Sequence, residues 1–182
     1  MSAYHDEAAL VARAKQFDRA AVAELYQRYV QRIYRYVYYR VGDESTAEDL
    51  TAEVFLRALE SVETYSYRGV PFVAWLYRIA QARIADYHRR RARRGEALPL
   101  NERLVGTEED LAAFVERQGS YGSLYAAMQQ LTEEQRQVIA LKFLAGLKNT
   151  EVAYVLDKTE GAVKALQHRA LAALQRLMGE HD

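Results

Sequence analysis

The stretch PFVAWLYRIAQARIADYHRRRARR, residues 71–94, has the 3.6-residue period of an amphipathic helix and none of the two-residue alternation of a strand. Phe72, Leu76, Ile79, Ala80, Ile84 and Tyr87 share one face of the wheel and are assigned to a core, with the helix expected over Trp75–Arg93. Arg78 and Arg89 fall on the opposite side, with Trp75 at the border. Asp86 stands three residues from Arg83 and four from Arg90, the spacing at which helical side chains pair. Just upstream, Tyr65, Tyr67 and Phe72 add an aromatic cluster. Cationic groups hold a phosphate backbone by charge, and flat rings stack on bases that have left the duplex. A solvated charged helix whose aromatics fill a core would have the same composition, so a second element must separate the two readings.

Working outward, the rest of the chain is also helical in pattern. Arg19–Val41 reads as a long helix stopped by Gly42, and it carries Tyr26, Tyr29, Tyr34, Tyr36, Tyr38 and Tyr39. Core packing with hydroxyls at the rim accounts for most of these. The next helix is expected to open at Ser45 or Thr46, with Glu48 closing a capping box on Ser45, and to run to about Leu59. A loop, Ser61–Pro71, follows. The segment Gly95–Gly122 holds four glycines, Pro99 and six acids, and reads as an acidic, flexible linker with a short helix near Glu108–Glu116. The fold class is therefore all-α: two small helical domains, 1–94 and 123–182, joined by the linker 95–122.

Within the second domain Thr132 and Gln135 form a capping box, and Val138, Ile139, Phe143 and Leu144 supply a buried stripe ended by Gly146. A short helix opened by Asn149 or Thr150 meets a tight turn at Asp157 and Lys158, after which Thr159 caps a last helix to about Leu177. Two helices joined by so short a turn form a helix-turn-helix, whose second helix enters the major groove. In that second helix Val163, Leu166, Ala170, Leu174 and Leu177 form the inward seam. Gly161, Lys164, Ala165 and His168 face outward, with Arg169 and Arg176 at the flank.

Composition bounds the function. With 182 residues and 50% hydrophobic content the chain can bury real cores. The absence of cysteine excludes disulfides and thiolate metal sites. MSAYHDEAALVARAK, residues 1–15, has acids and no apolar segment, so no signal peptide is expected, and no run approaches the roughly 20 apolar residues that span a bilayer. The expectation is a cytoplasmic protein without membrane insertion. The formal net charge is zero, but its distribution is not even: seven acids against Arg57 in residues 42–63, and seven arginines against Asp86 in residues 75–94. An acidic block and a basic block imply two partners on two faces.

These residues resemble the sigma-70 family of bacterial RNA polymerase sigma factors, specifically the extracytoplasmic-function (ECF) group. AEDLTAEVFLRAL (47–59) resembles the segment that binds the polymerase clamp helices, and FVAWLYRIAQARIADYHRRR (72–91) the promoter-melting and −10 segment. LTEEQRQVIALKFLAGLKNTEVAYVL (131–156) and KTEGAVKALQHRALAALQRL (158–177) resemble the −35-binding domain. The resemblance implies that Asp49, Leu50, Glu53, Val54 and Phe55 meet core polymerase. It implies that the loop from Tyr65, with Tyr67, Arg68, Phe72 and Trp75, reads a flipped −10 base, and that Arg78, Arg83, Arg89 and Arg90 contact the backbone. Arg136, Thr159, Glu160, Lys164, His168 and Arg169 would meet the −35 duplex. The implied partners are RNA polymerase core, through its largest-subunit clamp helices and its β flap, promoter DNA and an anti-sigma factor. The chain departs from the family pattern at Ala52 and Ala82, where Gln and Asn are usual, at Thr132, where Pro is usual, and at Asp157, where Gly is usual.

Two other readings compete: a free-standing helix-turn-helix regulator, and a helical interaction protein with no DNA role. Neither gives a task to both the acidic block and the arginine-aromatic segment. An enzyme is not expected, nor a cofactor. His5, His88, His168 and His181 form no ligand-spaced cluster, and there is no glycine-rich phosphate loop or nucleophile motif.

Overall fold

The computed structural model describes residues 3–95 and 127–179. The chain divides into two compact units, Met1–Pro99 and Leu100–Asp182, each described here by itself. Among the described residues all regular structure is helical. The N-terminal unit holds α1 (Ala3–Ala14), α2 (Arg19–Val41), α3 (Glu44–Ser61), a 3-10 turn over Val62–Thr64, and α4 (Phe72–Arg93). The C-terminal unit holds α5 (Glu133–Ile139), a π turn over Ala140–Leu144, α6 (Asn149–Leu156) and α7 (Glu160–Gly179). The expected linker helix near 108–116 lies outside the described residues, as does the linker itself apart from Gly95.

In the N-terminal unit α2, α3 and α4 pack on one another and α1 lies on α2. The apolar positions recur at helical spacing, so each helix closes its stripe against the others. Ile33, Val37 and Val41 of α2, Leu50 and Val54 of α3, and Leu76, Ala80 and Ile84 of α4 form the core. α2 ends as expected at Gly42, whose φ of 77° is the left-handed conformation that a glycine adopts without strain. α3 begins earlier than expected. Asp43, not Ser45, is its cap, accepting from the Thr46 amide at 2.8 Å and the Thr46 hydroxyl at 2.6 Å. Those bonds hold the Asp43 carboxyl below the ordinary carboxylate range. α4 also starts earlier, at Phe72, with Pro71 before it supplying extended backbone.

In the C-terminal unit α5 and α6 pack on α7. The Thr132–Gln135 capping box is present in both directions. Beyond it the expected stripe is only half right. Val138 and Ile139 are buried, but Phe143 is 40% exposed, and Ala140, Leu141 and Leu147 fill the core instead. The cause is the π turn: the Ala145 amide reaches back five residues to the Ala140 carbonyl at 2.9 Å, which rotates the residues after Leu141 off the α-helical wheel.

If Asp43 is the cap, Asp43→Ala should lower the unfolding free energy by about 1 kcal/mol. Ser45→Ala should change it by less than about 0.5 kcal/mol. Urea unfolding followed by circular dichroism distinguishes the two, and a larger effect at Ser45 would reject this assignment. The Asp43 contribution is that of a depressed carboxyl. It is fully present above the unfolded-state pKa and is lost as pH falls through the lowered folded value.

Candidate nucleic-acid interface

α4 presents two chemistries on opposite sides. Inward, Phe72 to Tyr77 are buried in an unbroken run. Outward, Arg78, Arg89 and Arg90 are exposed, with Arg83 half-buried beside them. Asp86 moderates this face: it pairs with Arg83 at 3.0 Å and with Arg89, three residues on, rather than with Arg90 as the spacing suggested. Beyond these, Arg91 donates to the Tyr87 hydroxyl at 2.9 Å and lies over its ring, a contact the sequence reading did not single out.

The aromatic cluster is split by burial. Tyr65, Phe72 and Trp75 are 7%, 4% and 9% exposed. Their ring centroids lie 5.2 to 5.4 Å apart, in edge-on and tilted pairs. They cannot stack on a base while packed this way, so Trp75 belongs to the core rather than to its border. Tyr67 and Arg68 are the exposed members, carried on the loop that leaves Tyr65 and returns at Pro71. The Tyr65 hydroxyl donates to the Val70 carbonyl at 3.0 Å and ties the two ends of that loop together. Gly69, at φ 78°, makes the tight return.

On α3 the assigned partner-binding residues also divide. Leu50 and Val54 point into the core, because they share the helical face of Ala47 and Ala58. Asp49 and Glu53 are exposed, and Phe55 is half-buried with its ring edge-on to Tyr26 at 4.9 Å. Leu56, 59% exposed among these acids, was not singled out in sequence because its spacing fits a helix interior equally well. With Phe17, Tyr26 and Phe55 it borders an apolar groove of about 640 Å³.

The helix-turn-helix of the C-terminal unit consists of α6, the turn Asp157–Thr159 and α7. Asp157 takes the left-handed conformation, φ 52° and ψ 49°, as expected where the family pattern has Gly. The Lys158 amide donates back to the Ala153 carbonyl at 2.9 Å, which closes α6. Thr159 then caps α7 by accepting from the Ala162 amide at 3.1 Å. Lys158 bonds Glu134 at 2.7 Å, which anchors the turn to α5 and holds the Glu134 carboxyl below its ordinary value. On α7 Lys164, His168 and Arg169 are exposed, and Glu160 pairs with Lys164 at 3.3 Å. The inward seam holds, except that Met178 takes the buried place expected of Leu177. Arg136 is differently employed. It donates to the carbonyls of Met128, Gln129 and Leu131 at 3.1 to 3.3 Å and so clamps the preceding turn.

Comparison with known proteins adds to this geometry. The sigma-70 region 2 family model matches residues 25–94, and the sigma-70 region 4 model matches residues 121–174. The chain is 41% identical over 174 residues to the ECF RNA polymerase sigma factor BldN of Streptomyces coelicolor, covering 93% of this chain and 64% of that protein. It is 32% identical to the ECF RNA polymerase sigma factor SigX of Bacillus subtilis, covering 85% of this chain and 81% of the relative. Among solved structures it is similar to CnrH in complex with the cytosolic domain of CnrY, with a TM-score of 0.73 at 22% identity, covering 97% of this chain and 99% of that one. It is also similar to the sigma factor RpoE bound to the anti-sigma factor NepR from Bartonella quintana, with a TM-score of 0.68 at 18% identity over 86% of this chain and 96% of that one. At these identities the two structures speak for the fold alone.

The burial pattern separates support from contact. Trp75→Ala should lower the stability of the N-terminal unit by about 3 kcal/mol, as loss of a core aromatic does. Tyr67→Ala should change stability by less than about 0.5 kcal/mol. Denaturant unfolding checks both, and an unchanged midpoint for Trp75→Ala would mean that its ring is not a core element.

Proposed function

Because the chain belongs to the ECF group of sigma-70 factors, we propose that it binds RNA polymerase core, directs it to particular promoters and helps open the −10 region. The observation that carries this reading is the loop of the N-terminal unit. An exposed tyrosine and arginine, Tyr67 and Arg68, stand on a rigid floor of buried aromatics at the start of the arginine-bearing helix. Tyr65, Phe72 and Trp75 form that floor, and Tyr67 and Arg68 make the contact. Arg78 and Arg90, with Arg83 and Arg89 when released from Asp86, follow the backbone of the opened strand. Unstacking a base costs a few kcal/mol, and stacking on an aromatic returns about 1–3 kcal/mol per base, so opening at this site needs no nucleotide hydrolysis. The protein is not an enzyme.

The other assignments follow the same division. The exposed acids Asp49 and Glu53, with Phe55 and Leu56, present the face for the clamp helices of core polymerase. Leu50 and Val54 hold that face in shape from beneath. Lys164, His168 and Arg169 enter the −35 duplex, where the N-terminus of α7 favours phosphate. Thr159 and Glu160 shape that end of the helix, and Arg136 stiffens the unit behind it. Residues 1–94 thus serve polymerase and the −10 element, and residues 123–182 serve the −35 element and the β flap. An anti-sigma factor is a further partner, and the protein works in the cytoplasm, where polymerase and chromosome meet.

Run-off transcription with purified core polymerase, on a library of promoter fragments, tests the proposal. Start sites that depend on this protein are the expected result. Failure to bind core would reject it and favour a free-standing helix-turn-helix regulator. With a −35 duplex, Lys164→Ala should weaken binding and reduce the salt slope by about 1, the signature of one lost phosphate contact.

A further inference from the structure

α1 has no task in the function proposed above, yet its end touches the loop that reads the promoter. Lys15, the residue after α1, donates from Nζ to the backbone carbonyl of Tyr65 at 2.5 Å, across 50 residues of sequence. The bond is part-buried, where a charge-assisted hydrogen bond is little screened. Tyr65 is where the loop leaves the 3-10 turn. Its ring is wedged between Phe72 and Trp75, and its hydroxyl holds Val70. The carbonyl bond adds to these anchors and to the Tyr65 amide bond to the Val62 carbonyl, and it comes from the residue that directly follows α1.

α1 is in turn a firm support. Arg28 of α2 donates to Asp6 at 2.6 Å, and Tyr29 of α2 donates to Glu7 at 2.8 Å. The Tyr29 ring also lies 6.1 Å from that of Phe72, so α2 backs both α1 and the aromatic floor. Between α1 and the loop runs a cleft of about 370 Å³, with Glu7, Val11, Lys15, Tyr65 and Tyr67 in its walls. Beyond Tyr65 the loop carries Tyr67 and Arg68 out to solvent and is tied back to Tyr65 by the hydroxyl bond to Val70, so the placement of Tyr65 sets the placement of the whole loop.

Resting on the reading of this chain as a promoter-opening factor, we infer that Lys15 is a positioning residue for −10 recognition. By holding the Tyr65 carbonyl it fixes where the loop starts, and so where Tyr67 and Arg68 stand at the mouth of the cleft. Lys15 acts through the loop and touches no base. Its loss leaves the folded core and the polymerase-facing side of α3 unchanged, while the loop samples positions from which an unstacked base is captured poorly and with less discrimination.

The test uses the full-length protein with core polymerase on a promoter carrying a fluorescent adenine analogue in the −10 element, alongside a −10 sequence library. Lys15→Met, which keeps the stem and removes the donor, should reduce open-complex formation about tenfold, the effect of one charge-assisted hydrogen bond. It should leave core affinity unchanged and flatten the −10 base preference. Lys15→Arg, which still donates, should restore most of both. In a Tyr67→Ala background Lys15→Met should add nothing further, because both act through the same loop. Opening within about twofold of the wild type, an equal loss in core binding, or additive losses with Tyr67→Ala would each overturn the inference. If Lys15→Met does not fold, Lys15→Leu, which likewise removes the donor, is judged by the same criteria. A wild-type protein that opens no promoter overturns both this inference and the function it rests on, whereas a variant result overturns this one alone.

Discussion

Removing a guanidinium from water costs several kcal/mol, and α4 and its end carry seven arginines within residues 75–94. On its other side the same helix places Leu76, Ala80 and Ile84 at zero exposure. These two demands fix the roll of α4 against α2 and α3, and little else in the N-terminal unit is free once that roll is set. Arg78, Arg89 and Arg90 must face solvent. The aromatic residues at the start of the helix must then turn inward, and they meet Tyr65 there. Asp86 stands where it can neutralise two arginines without leaving the surface. The cationic face is therefore a consequence of how the core closes, not an addition to it.

Much of this was legible because helical spacing and end signals are local. The stop at Gly42, the Thr132–Gln135 box, the left-handed Asp157 and the cap at Thr159 depend on a few adjacent residues, and all four stand as read. What was less legible involved competition or distance. Asp43 and Ser45 are both good caps, and only the backbone direction after Gly42 selects the first. Leu50 and Val54 lie in the stretch that resembles the polymerase-binding segment, but a resemblance names a helix and not its face. Tyr65, Phe72 and Trp75 were read as contacts because aromatic residues near arginines suit both a core and a stacking platform. α1 was not identified as a helix, and its bond to Tyr65 joins residues too far apart in sequence for any pattern to reveal.

The two units share a way of placing exposed groups. In each, a short connection is made rigid by hydrogen bonds, and polar side chains stand on it or directly after it. In the N-terminal unit the connection runs from Tyr65 to Pro71, pinned by the Tyr65 hydroxyl. In the C-terminal unit it is the turn at Asp157, pinned by Lys158 on Glu134 and by the return bond to Ala153. Rigid connections lower the entropy lost when a side chain meets a partner.

The π turn over Ala140–Leu144 is, in register, a helix with one residue too many. Its presence means that the side chain shown to solvent at Phe143 is set by the length of this segment as much as by its composition. A related chain one residue shorter here would present a different group at the same place with no substitution at all. Gaps of a single position in this stretch therefore carry as much meaning as changes of residue, and aligning across them as if the helix were regular would pair side chains that point about 100° apart.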